Sequence, residues 1–118
     1  MRVRLYEPGK PYKWIEIEND LHTLQEIVGG FIETLTISED AVIICNEEGK
    51  INGMEPNRNV WIRGRKIDTI FGPFLVAGCD CERFVDAPDM IPELKTRPYP
   101  VFRIGGIEKT STTIKKGG

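Results

Sequence analysis

The sequence predicts an α+β fold: a mostly antiparallel sheet with one main helix, at about residues 20–29, packed on one face. Three observations carry that prediction. Only one segment has clear helical periodicity, and it is too isolated for a doubly wound α/β fold. Short runs of β-branched and aromatic residues recur on both sides of it, separated by Gly, Pro, Asn and Asp. One run, Ala41 to Cys45, is apolar throughout, as expected of a central strand buried on both faces.

Val3 and Leu5 alternate with Arg2, Arg4 and Tyr6, which is strand periodicity. Glu7 to Pro11 holds two prolines and a glycine and is a turn. Trp14, Ile15 and Ile17 make a second short strand, the hairpin partner of the first. Asp20 suits a helix N-cap because its carboxylate can accept an N–H of the first turn. Leu21, Leu24, Ile27 and Val28 then share one helical face, and Gly29 and Gly30 end it. Phe31 to Ile37 is β-rich and Ser38 to Asp40 is a turn. Val60 to Ile62 is a strand, and Arg63 to Lys66 turns the chain. Phe71 to Gly78 contains the last strong strand, with Pro73 at its start, where a missing N–H costs least. Asp86 to Lys95 reads as a short second helix over about 88–95. Residues 1–96 are thus expected to form a single compact domain. Residues 97–118 are a C-terminal extension, an edge strand within Pro98 to Gly106 followed by a mobile tail from Glu108.

The composition excludes several function classes. A formal net charge of -2 lacks the basic excess of a generic DNA binder and the large acidic excess of a DNA mimic, so nucleic acid is not the expected partner. No apolar run approaches the roughly 20 residues of a membrane helix, and no signal-peptide core follows the first residues. Three cysteines, an odd number, point to a reducing cytoplasm. Cys79 and Cys81 are too close for an unstrained disulfide, and with His22 alone on the helix no set of metal ligands is expected. No cofactor fingerprint, phosphate loop or serine triad occurs. The Val28-Gly29-Gly30 stretch ends a helix rather than beginning one. The basic cluster Arg63-Gly64-Arg65-Lys66 reads as a solvated hairpin tip.

The densest polar stretch runs from Cys45 to Asn59. Glu47-Glu48-Gly49 fits a three-residue hairpin loop with a left-handed glycine, and Asn46 with the two carboxylates could instead line a binding surface. Pro56 biases Glu55 to an extended backbone, Asn57 suits a turn, and Arg58 offers a planar donor fork for carboxylate or phosphate. Asn46, Glu47, Glu48, Asn57 and Arg58 are therefore the candidate ligand or partner-binding residues. No residue is assigned as catalytic and none as a metal ligand.

Three patches, "LQEIVGGFIE" (Leu24 to Glu33), "CNEEGKINGMEPNR" (Cys45 to Arg58) and "IFGPFLVAG" (Ile70 to Gly78), resemble a family of small uncharacterised proteins. It is a domain of unknown function common in bacteria, phages and mobile elements. The resemblance covers roughly Met1 to Lys95; Arg97 to Gly118 extends beyond it, and the Cys79–Cys81 pair is individual to this chain. It implies an accessory gene product acting on a host component. The expected function is a non-enzymatic binding module that takes a host protein or a small anionic ligand. The alternatives are a homo-oligomer assembling through a sheet edge or the "YPVFRI" segment, and a small enzyme using Glu47 or Glu48 with Arg58.

Overall fold

The computed structural model describes residues 1–99 and, as backbone alone, Val101–Ile104 and Ile107–Thr110. The chain begins with β1 (Arg2–Tyr6) and β2 (Lys13–Glu16), paired as an antiparallel hairpin with Arg4 opposite Trp14. Helix α1 (Leu21–Val28) follows. Asp20 caps it, its Oδ1 accepting the Thr23 N–H at 2.8 Å. That hydrogen bond holds the Asp20 carboxyl below its usual range. Gly29 ends the helix at φ 81°, a left-handed conformation that suits glycine.

Next come β3 (Ile32–Ser38), β4 (Ala41–Asn46), β5 (Pro56–Ile62), β6 (Arg65–Phe71), β7 (Phe74–Asp80), β8 (Arg83–Val85) and β9 (Leu94–Pro98). The described part of the extension forms a separate hairpin, β10 (Val101–Ile104) with β11 (Ile107–Thr110). The rest of the expected tail lies outside the described residues.

The main sheet has the order β2-β1-β7-β4-β3, and β8 joins the far end of β7 on the edge that β1 also uses. A second, three-stranded sheet has the order β6-β5-β9. All these pairings are antiparallel. The α+β architecture with one helix is therefore as the sequence predicts.

Alternation sorts β4 and β7 onto two cores. Val42, Ile44, Leu75 and Ala77 join Val3 and Leu24 under the helix. Ala41, Ile43, Cys45, Phe74 and Val76 face the second sheet, where they meet Val60, Ile70 and Ile91. The main sheet is sandwiched, which is why every residue of β4 is buried.

The second helix expected over about 88–95 is not formed. Among the described residues this segment is irregular up to β9, with Ala87 and Ile91 buried. Pro92 in its middle would remove a helical hydrogen bond and crowd the preceding turn.

The hairpin expected at Glu47-Glu48-Gly49 is also replaced. Residues 47–53 form consecutive turns that carry the chain from the main sheet to the second one, with the Asn52 N–H donating to the Glu48 carbonyl at 2.8 Å. Gly49 serves close approach instead, since a Cβ there would lie 2.6 Å from the Phe71 carbonyl oxygen. Asn57 and Arg58 are strand residues of β5 rather than turn residues.

Candidate functional site

The structure brings Asn57 and Arg58 together and places Asn46 elsewhere. Asn46 is buried at the end of β4. Its Nδ2 donates to the Val28 carbonyl at 3.0 Å and its Oδ1 accepts the Glu48 N–H at 2.7 Å. It ties the C-terminal end of α1 to the crossover.

Asn57 is 1% exposed. Its Nδ2 donates to the carbonyls of Tyr6 (2.9 Å) and Gly72 (2.8 Å), and its Oδ1 accepts from Arg58 Nη1 at 2.7 Å. Arg58 Nη2 donates to the Lys10 carbonyl, and Nη1 also reaches the Glu7 carbonyl at 3.4 Å. These two side chains clasp the β1–β2 connection onto the second sheet. Burial lowers the Arg58 pKa, and the neighbouring Tyr6 opposes that shift.

Glu47 and Glu48 are both exposed. Glu47 lines a cavity of about 110 Å³ between β3 and β6, together with Glu33, Cys45, Asn46 and Asp68. Neither Glu48 nor Arg58 lines it. The two glutamates and the arginine thus share no cleft there. Cys45 is buried beside it, and desolvation, then Glu33 and Asp68, push its thiol up to about 12.

The residues that sequence reasoning passed over lie on β1 and β2. Arg2, Arg4 and Tyr6 occupy the face of β1 opposite Val3 and Leu5, which belong to the helix-side core. The Arg2 guanidinium sits 3.8 Å from the centroid of the Trp14 ring. The Arg4 guanidinium sits 4.9 Å from that of Tyr12 and 5.3 Å from that of Trp14. The Arg58 guanidinium is 5.4 Å from the Tyr6 ring centroid. Tyr6 stacks on Phe74 at 4.6 Å and on Tyr12 at 5.2 Å. The result is a ladder of alternating rings and guanidiniums, held by cation–π attraction and offset stacking.

Arg4 is the exceptional member. It is 8% exposed. Its Nη2 donates to the Asp89 carbonyl at 2.9 Å and its Nη1 lies 3.4 Å from the Tyr6 hydroxyl. Its Nε is buried without a hydrogen-bond partner, a state shared among the described residues only by Trp61 Nε1. Neither Arg4 nor Arg58 is ion-paired with a carboxylate among the described residues. Arg2 pairs with Asp89 at 3.4 Å, while Glu7 pairs with Lys10 and Lys13. A buried cation ordinarily has a counter-ion.

A family model described as Domain of unknown function (DUF3846) matches residues 1–98. The chain belongs to that family. The match spans both sheets, the helix and the whole arginine–aromatic ladder, and it ends with β9. No curated protein and no solved structure matches the chain. Among the described residues no cluster of three or more His, Cys, Asp or Glu side chains could hold a metal ion, and no helix is long and apolar enough to cross a membrane. Cys79 and Cys81 are free thiols, the first partly buried and the second exposed.

Proposed function

We propose that the protein is a non-enzymatic binding module that takes a small anionic ligand on the arginine–aromatic face of the β1–β2 hairpin. One observation carries this reading: Arg4 is buried, has no carboxylate partner among the described residues, and keeps an unpartnered Nε. A carboxylate or phosphate drawn to this face would supply the missing negative charge. Arg58, its donors held by the Lys10 and Glu7 carbonyls and Asn57 Oδ1, adds positive charge near the Tyr6 ring without offering a free fork. Tyr12 and Trp14 wall the face and keep the cations in place. A host-directed accessory role in a phage or mobile element, as the resemblance implies, is the proposed setting.

The test is a thermal-shift titration with phosphate, pyrophosphate and citrate, each against sodium chloride at matched ionic strength. A ligand that binds only the folded chain raises the melting temperature in proportion to the logarithm of its concentration. The expected result is such a rise for at least one anion in the wild type and none in Arg4→Met. A wild type that responds to all three anions no more than to sodium chloride would overturn the reading.

A further inference from the structure

We propose that two copies of this chain pair antiparallel through the free edge of β3. The ladder geometry states which groups are free. The Glu47 N–H donates to the Phe31 carbonyl at 2.9 Å, so Phe31 and Glu47 form a hydrogen-bonded pair that extends the β3–β4 register of Ile32 opposite Asn46. Hydrogen-bonded and non-hydrogen-bonded pairs alternate in an antiparallel ladder. Glu33 and Leu35 therefore turn their N–H and C=O groups toward β4. Ile32, Thr34 and Thr36 turn theirs outward, onto an edge unpaired among the described residues.

That edge lacks the usual protection. Proteins blunt edge strands with short length, Lys, Pro or charges. β2 has four residues including Lys13, β6 carries Arg65, Lys66 and Asp68, and β9 carries Lys95, Arg97 and Pro98. β3 runs for seven residues, "IETLTIS", with one charge and neither Lys nor Pro.

The strand is also self-complementary. A two-fold axis at Thr34 sets Thr34 opposite Thr34 of the second copy, Ile32 opposite Thr36, and Glu33 opposite Leu35. Every outward-pointing residue then meets an outward-pointing residue, and the lone charge does not face itself. The same operation centred on β6 would set Asp68 against Asp68. The pairing also brings Phe31, 72% exposed in the single chain, alongside the Ile37 end of the second copy. An exposed aromatic at the end of a free strand is thereby covered.

Sedimentation velocity of the full chain from low micromolar to near-millimolar concentration tests this. Wild type is expected to dimerise. Thr34→Lys places two ammonium groups on the axis and should weaken dimerisation at least about tenfold. Thr34→Glu does the same with carboxylates, and a one-to-one mixture of the two variants should restore the dimer. Thr34 is exposed, and matching circular dichroism melts will show that both variants fold. A wild type that stays monomeric throughout, or a dimer that survives Thr34→Lys undiminished, would overturn the proposal. Recovery of a different protein on the edge instead of a second copy would do so as well.

Discussion

The two faces of the main sheet solve different problems. The helix side buries Val3, Leu24, Val42, Ile44, Leu75 and Ala77, and no charged residue belongs to that cluster. The other side buries Arg4, Asn57 and Arg58 next to the apolar residues that meet the second sheet. Apolar burial contributes roughly 25 cal/mol per Å² without geometric demands, whereas a buried guanidinium is costly unless each donor finds an acceptor. The helix side is accounted for by folding alone. On the second side, Asn57 and Arg58 spend their polar groups on main-chain carbonyls and on each other. Arg4 does so incompletely, and the proposed anion site rests on that asymmetry.

The largest effect should come from breaking the helix side. Leu24, 2% exposed, packs between α1 and the sheet. Leu24→Ala should cost about 3 kcal/mol in urea unfolding while leaving the anion response intact in the folded fraction. On the opposite face, Arg58→Met should cost about 2 kcal/mol by the same measurement. It would leave the carbonyls of Glu7 and Lys10 and the Oδ1 of Asn57 without their donor. A neutral Arg58→Met would dissolve the distinction between Arg58 as clasp and Arg4 as unpaired cation.

A smaller gain is available at the sheet's far end. The β7–β8 turn places Cys81 and Glu82 at φ 49° and 68°, a conformation that favours Asn and Gly. The β5–β6 turn uses Arg63 at φ 54° followed by Gly64 at 78°, so only one of its two residues bears the strain. Replacing Cys81 with Asn and Glu82 with Gly should raise stability by about 1 kcal/mol, read as a higher denaturation midpoint.

The subtlest test concerns Cys45, on the second-sheet side. Its folded pKa stands at about 12 against an ordinary 9.0. The unfolded chain therefore loses this proton first as pH rises, and folding stability from this group is present below 9.0 and declines from there toward about 12. Cys45→Ala should flatten the difference between unfolding curves at pH 8 and pH 10 relative to wild type.

Local chemistry made much of the fold legible. Asp20, the spacing of Leu24, Ile27 and Val28, and Gly29 delimit the helix without tertiary help. Ala41 to Cys45 announces a doubly covered strand. The second sheet was hidden because Pro56, Asn57 and Asn59 have turn chemistry, and β5 becomes a strand only by pairing with β6 and the distant β9. The segment around Pro92 was misleading for a related reason: Ala87 and Ile91 are spaced as on a helix face, yet each is buried as an irregular anchor. In the candidate site, Asn46, Asn57 and Arg58 were recognisable as ordered polar groups, but their partners are carbonyls far along the chain. The ladder had a sequence signal in "RVRLYEPGKPYKW", basic and aromatic residues interleaved across a hairpin. It was overlooked because strand alternation alone sends Arg4 to solvent. In the fold the Asp89 carbonyl and the hairpin's own rings lie against it.

The most direct test of the account is the stability of Arg4→Met with and without anion. If Arg4 is an uncompensated buried cation kept for a ligand, replacement by an apolar side chain of similar length should stabilise the ligand-free protein by about 1 kcal/mol. It should also abolish the anion-dependent rise in melting temperature seen in wild type. A variant that is less stable than wild type, and that responds to anions as wild type does, would contradict the central claim and make Arg4 a structural residue.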